Sequence, residues 1–124
     1  MPIRPTFTTG DVLTAANMTT VAASIVAINA QVGTSYTLAI GDIGKLVTCS
    51  NAASIVVTIP ATTFAIGDQI NVMQYGAGQV TFTPAATVTM RSSGSKTKTF
   101  GQYAVATLIN IAANEWVLVG NIAS

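Results

Sequence analysis

Near the middle of the chain, the stretch of residues 69–83 reads QINVMQYGAGQVTFT, and its pattern gives the clearest indication of the fold class. In its second half, apolar Val80 and Phe82 alternate with polar neighbours, which is the period of a half-buried β-strand. The first half is rich in isoleucine and valine, and Gly76 and Gly78 interrupt the pattern between the two halves. The stretch therefore predicts two strands joined by a hairpin turn.

The same pattern extends over residues 34–124. Short runs rich in valine, isoleucine, threonine and aromatic residues are separated by glycine, proline, asparagine and aspartate, which favour turns. The predicted strands are Tyr36–Ala39, Lys45–Cys49, Ser54–Ile59, Gln69–Gln74, Val80–Thr83, Thr87–Met90, Lys96–Phe100, Tyr103–Ile109 and Glu115–Val119. No crossover helix fits between them, which excludes βαβ units. We therefore expect a mainly β protein, with an antiparallel β-sandwich or barrel-like domain over residues 34–124.

Residues 1–16 have a different composition from the rest of the chain. Pro2, Pro5 and Gly10 interrupt any regular pattern, and proline fixes the backbone while removing a hydrogen-bond donor. These residues predict an extended arm that needs a partner to become ordered. The side chains expected to dock the arm on that partner are Ile3, Arg4 and Phe7.

Residues 17–33 predict one short helix. Asn17 is a good N-cap, and Gly33 would end the helix. An apolar stripe follows at alternating spacings of three and four residues, formed by Met18, Val21, Ile25, Ile28 and Val32. Such a stripe is typical of a coiled-coil seam, and isoleucine at both core positions favours trimers or tetramers. The alternative is an amphipathic helix that lies on its own β domain.

The composition indicates a covered surface. Only 7% of the residues are charged and 50% are apolar, whereas about 25% charged residues are usual. A small soluble domain generally needs about 25–35% charged residues on its surface. We therefore expect other copies of the chain, or a larger assembly, to cover much of it.

Charge and hydropathy argue against nucleic-acid and membrane partners. The net charge is +1, and Arg91, Lys96 and Lys98 form the only loose basic group, whereas nucleic-acid binding needs clustered cations. The uncharged stretch 12–41 is most apolar over residues 21–30, about half of the ~20 residues that a membrane span needs. The N-terminus also lacks the apolar core of a secretory signal.

The sequence contains no catalytic constellation. Histidine is absent, which excludes the usual serine triad and the common zinc sites. Cys49 stands alone and is predicted to be a small core residue, as is the larger Trp116. Asp42 and Asp68 follow glycines in turns, where aspartate accepts hydrogen bonds from nearby backbone amides. We predict no enzymatic activity, no cofactor and no metal.

Several phrases resemble a β module of tailed-bacteriophage virion proteins, which include head fibres, decoration proteins and tail-fibre tips. They include QYGAGQ at residues 74–79 and NEW at residues 114–116. The phrase FTTGDVLTAANM at residues 7–18 also resembles the opening of phage structural proteins. The resemblance implies that the N-terminal segment attaches to the particle, and that the β module forms trimers and faces solvent. It supplies no catalytic residues.

These observations lead to one expectation and one alternative. We expect a structural virion protein, made in the cytoplasm of the host bacterium and located on the phage surface. It would be a homotrimeric capsid decoration or cement protein (a head fibre), bound through residues 1–16 to the major capsid protein or another virion protein. The alternative is a short tail-fibre or baseplate protein whose β tip binds a receptor such as a host surface glycan.

Overall fold

The computed structural model describes residues 27–124, which form two β-sheets. The strands are β1 (Ile28–Gln31), β2 (Ser35–Thr37), β3 (Leu46–Cys49), β4 (Ile55–Ile59), β5 (Gln69–Gln74), β6 (Val80–Pro84), β7 (Thr89–Ser92), β8 (Lys98–Thr99), β9 (Val105–Ala112), β10 (Glu115–Gly120) and β11 (Ile122–Ala123). Short 3₁₀ turns occupy Ile40–Asp42 and Ser93–Ser95. The predicted mainly β class is confirmed.

Sheet I has the strand order β1-β3-β5-β9-β10-β7, and sheet II has the order β11-β8-β6-β4-β2. From β1 to β6 the chain alternates between the sheets and makes three coils, each with one strand in either sheet. β1, β3 and β5 are therefore parallel neighbours in sheet I, and β2, β4 and β6 are parallel neighbours in sheet II. The opposite sheet provides the crossover that a helix provides in βαβ units.

The strand directions correct the expectation of antiparallel pairing throughout. β9 is antiparallel to both β5 and β10, but the coils and the β7–β10 pair are parallel. The turn at Gly76–Gly78 is likewise not a hairpin, because β5 lies in sheet I and β6 in sheet II. Side-chain alternation indicates which residues face the core. It does not indicate which strand lies beside which.

The inward-facing side chains of both sheets form one apolar core. Its most buried members are Val47, Ile55, Val57, Ile59, Ile70, Val72, Val80, Phe82, Leu108, Trp116 and Leu118. The ring of Trp116 packs edge-on against Phe64, with centroids 5.2 Å apart. Cys49 is fully buried as a free thiol. The predictions that Trp116 and Cys49 are core residues are confirmed.

The predicted helix over residues 17–33 is wrong in its second half. Ile28–Gln31 form β1, which pairs with β3 in sheet I. The apolar Ile28, Ala30 and Val32 alternate with Asn29 and Gln31, and this period of two is satisfied by a strand. Residues 17–26 lie outside the described part of the chain, as do all residues of the predicted arm.

Candidate interaction surface

The outer face of sheet I carries several exposed, large apolar side chains beside polar ones. The strand register places Ile28, Leu46, Asn71, Thr107 and Val119 in one row of this face, in which the Thr107 hydroxyl donates to Asn71 Oδ1 at 2.7 Å. The next row contains Met73 and Val105. Five of its apolar side chains are at least about two-fifths exposed, namely Ile28, Val32, Val105, Ile111 and Val119. Exposed apolar faces of this extent mark interaction sites in soluble proteins.

The outer face of sheet II has a different chemistry. The register places Ser35, Val56 and Thr81 in one row, and Thr37, Thr58 and Thr83 in the next. Val56, 40% exposed, is the large apolar side chain of these rows. The hydroxyl groups of this face can bond to water, whereas the exposed valine and isoleucine side chains of sheet I cannot, so the two outer faces differ in the surroundings that suit them.

A groove runs over the three parallel strands of sheet I, and we call it the parallel-strand groove. It has a volume of about 470 Å³ and is lined by Ile28, Ala30, Gln31, Val32, Leu46, Thr48, Ser50, Met73 and Tyr75. None of these side chains is charged. The groove is therefore suited to an apolar, uncharged partner.

The other half of this surface, which we call the hairpin face, is formed by β9 and β10. Its exposed side chains are Val105, Ile111 and Val119, with Ile109 and Val117 half-buried between them. At its margin Arg91 of β7 forms an ion pair with Glu115 of β10. The polar pair borders an apolar centre, which is the usual composition of a subunit interface.

The structure describes two of the five residues predicted as an oligomer seam. Ile28 lies in β1 and Val32 just beyond it; they are 61% and 73% exposed, and both line the parallel-strand groove. Met18, Val21 and Ile25 lie outside the described residues, and so do the predicted docking residues Ile3, Arg4 and Phe7. Ile28 and Val32 therefore belong to a sheet surface, not to one continuous helical seam.

Three aromatic side chains are exposed near the ends of strands. Tyr75 follows β5 and Tyr103 precedes β9, and their rings meet edge to face with centroids 6.1 Å apart. Gln102 donates a hydrogen bond to the Tyr75 carbonyl, and Phe100 is exposed nearby in sequence. Tyr103 adopts φ 69°, which bulky side chains rarely do. The predicted strands Gln69–Gln74 and Tyr103–Ile109 already place both tyrosines at strand ends, but their pairing depends on β5 and β9 being neighbours.

A buried polar network ends the core at the first coil. Asp42 is 2% exposed. Its carboxylate accepts hydrogen bonds from Asn29 Nδ2 at 2.7 Å, from the Tyr36 hydroxyl at 2.7 Å and from the Ala39 amide at 2.9 Å. Gln31 extends the network by donating to Asn29. In β1 the inward positions are held by Asn29 and Gln31, whereas Val47 and Cys49 hold the paired positions in β3. The apolar core therefore ends at β3, and the polar network covers it on the side of β1.

The QYGAGQ phrase has a structural explanation. Buried Gln74 donates to the carbonyls of Gly76 and Ala77 and accepts from the buried Thr99 hydroxyl at 2.6 Å. Gln79 donates to the Thr99 carbonyl. These contacts hold the turn between the two sheets and connect it to β8.

The carboxylates of the described residues have structural roles. The expectation for Asp42 and Asp68 is confirmed, because each accepts a hydrogen bond from a backbone amide three residues earlier, at 2.9 Å and 2.8 Å. Within residues 27–124, no three side chains of histidine, cysteine, aspartate or glutamate lie close enough to hold a metal ion. No helix in that range is long and apolar enough to cross a membrane.

Alkaline pH is expected to destabilise the domain through buried Cys49 and half-buried Tyr36. Burial raises the pKa of Tyr36 from 10.0 to about 12, reinforced by its hydrogen bond to Asp42 and by the negative charge there. Burial alone raises the pKa of Cys49 from 9.0 to about 11. Both groups fold in the neutral form, so their contribution is complete below the unfolded pKa and is lost as pH rises through the folded one.

Urea unfolding midpoints measured between pH 8 and 11.5 test this expectation. The midpoint should fall progressively above pH 9, and Cys49→Ala should show a shallower fall between pH 9 and 11. A midpoint that stays level up to pH 11 would contradict the burial assigned to both groups.

Comparison with models of known protein families finds no match to this sequence, and comparison with curated proteins finds none either.

Proposed function

We propose that this chain is a structural protein of a tailed-bacteriophage particle, acting as a homotrimer on the capsid surface. The observation that carries the proposal is the apolar outer face of sheet I. A face that exposes Val105, Ile111 and Val119 is poorly suited to water. A chain with 7% charged residues has few side chains with which to compensate. The phage assignment and the trimer rest on the sequence resemblance.

In this proposal the hairpin face forms the contact between subunits. Its apolar centre and its polar margin at Arg91 and Glu115 match the composition of such interfaces. The threonine-rich face of sheet II then remains in contact with solvent. Residues 1–16 bind the major capsid protein or another virion protein. A subunit that binds only the assembled shell stabilises that shell by mass action.

Removal of residues 1–16 is expected to abolish binding to shells without unfolding the β domain. The reason is that the arm supplies the proposed contact, whereas the core is formed by residues 38–118. Co-sedimentation with purified empty shells measures binding, and circular dichroism measures folding. The control is Phe7→Ala, which should weaken binding without abolishing it. Full binding by the truncated protein would rule out the arm as the docking element.

The alternative is a short tail-fibre or baseplate protein with a receptor-binding β tip. The exposed pair Tyr75 and Tyr103 favours it, because aromatic rings with nearby amides suit the stacking and hydrogen bonding of a sugar. Gold-labelled antibody on intact virions distinguishes the two locations. Gold over the head supports the decoration protein, gold on the tail supports the fibre, and absence of gold from the particle contradicts both.

A further inference from the structure

We infer that residues 17–26 of the same chain bind in the parallel-strand groove, with Met18, Val21 and Ile25 facing its floor. The inference does not depend on the virion assignment. It concerns a different surface from the hairpin face and decides between the two interpretations of the apolar stripe.

The first argument is where the segment meets the sheet. The Ala27 carbonyl accepts a hydrogen bond from the Leu46 amide at 3.0 Å, which fixes the chain on β3. The next residue, Ile28, is itself a wall of the groove and is 61% exposed. Ala27 is therefore at the edge of the groove, and the segment 17–26 is attached to the domain there. A segment tethered so closely has an effective concentration of order millimolar, far above that of a second copy.

The second argument is chemical match. No residue from 12 to 41 is charged, and neither is any residue that lines the groove. Apart from Met18, Val21 and Ile25, residues 18–26 are alanine, serine, threonine and Val26. Most of these side chains are small, which allows the segment to lie close to a sheet. Ile28 and Val32, which continue the stripe in sequence, already line the groove. In this inference all five residues of the stripe pack on one surface.

The third argument is length. The strands of a sheet lie about 4.8 Å apart, so about 10 Å separates β1 from β5. A helix over residues 18–26, as the sequence predicts, rises by about 12 Å. The segment therefore just spans the three strands. Residue 17 would lie above β5, and the arm would leave the domain from the middle of the sheet I face.

Cross-linking tests the position of the segment directly. Val21→Cys combined with Thr48→Cys, treated with a short bismaleimide, should give a link within one chain that keeps the monomer mass on a denaturing gel. Native Cys49 is fully buried and should not react in the folded protein. The matched control, Val21→Cys with Thr81→Cys on the opposite outer face, should give no link. A link between chains, or no link to Thr48→Cys, overturns the inference.

A charge substitution gives a second, independent readout. Ile25→Asp should release the segment, raise the fluorescence of a dye that binds apolar surfaces several-fold, and speed hydrogen exchange in β1 and β3, while the oligomer mass stays unchanged. Ala23→Asp places the same charge on the opposite side of the predicted helix and should leave both signals as they were. Loss of the oligomer in Ile25→Asp without exposure of the groove would assign the stripe to a subunit seam and overturn the inference. Failure of shell binding would instead count against the proposed function.

Discussion

A Val119→Asp variant is expected to be monomeric at micromolar concentrations, at which we propose that the unaltered protein is a trimer. Val119 is 42% exposed on the hairpin face and lies in one row with Thr107 of the neighbouring strand. In the proposed trimer this position is covered by another subunit. An unpaired carboxylate buried there costs several kcal/mol per subunit, so the association is lost.

Light scattering coupled to size-exclusion chromatography measures the mass. The matched control is Val56→Asp, because Val56 is 40% exposed on the outer face of sheet II, which the proposal leaves in solvent. Val56→Asp should keep the trimer mass. Both variants should show the circular dichroism of the folded domain. A trimeric Val119→Asp protein would move the interface away from the hairpin face, and monomers in the unaltered protein would remove the trimer altogether.

Replacing Gly78 by alanine is expected to destabilise the domain by about 3 kcal/mol or more. A Cβ atom at this position would lie 1.9 Å from the carbonyl oxygen of Ala53 and 2.6 Å from that of Asn51. Both neighbours are backbone atoms, and the Gly78 amide already donates to the Asn51 carbonyl at 2.7 Å. The turns of successive coils would therefore have to separate.

Gly41→Ala is the control, because nothing lies within 4 Å of a Cβ there and the backbone is not left-handed. Its free energy of unfolding should stay within about 1 kcal/mol of the unaltered protein. Urea unfolding of both variants gives the two values. Equal unfolding free energies for Gly78→Ala and Gly41→Ala would show that Gly78 does not lie against the backbone of Asn51 and Ala53.

The sequence predicts the strands and the core more reliably than the pairing. Val80 and Phe82 of β6 face inward as their alternation indicates, and Trp116 and Cys49 are buried as expected. The pairing depends instead on which sheet each turn leads to. The turn at Gly76–Gly78 has the composition of a hairpin, yet it passes between the sheets because its glycines fit against the previous coil. The sequence of the turn does not indicate that Asn51 and Ala53 of the previous coil lie against it.

The start of the domain, at β1, is a second place where the sequence does not predict the structure. Ile28 and Val32 are four residues apart, so they fit both a helical stripe and two outward positions of a strand. The helical interpretation leaves no role for Asn29. In the sheet, Asn29 instead donates hydrogen bonds to buried Asp42 and to the hydroxyl of half-buried Tyr36. That polar network depends on contacts across thirteen residues of sequence, which local periodicity does not report.

The position of β1 also has a mechanical consequence. Tension carried by residues 1–16 would first pull the segment 17–26 out of the parallel-strand groove, and it would then load β1 at Ala27, where the chain enters the sheet. Four residues of β1 are paired with β3, on one side only among the described strands, and the large apolar core begins beyond them at Leu38 and β3. Under a strong pull β1 would separate from β3 and the hydrogen bond from Asn29 to Asp42 would break, while the other strands of both sheets remained paired. The edge strand would thus act as an extensible link that protects the core from the load.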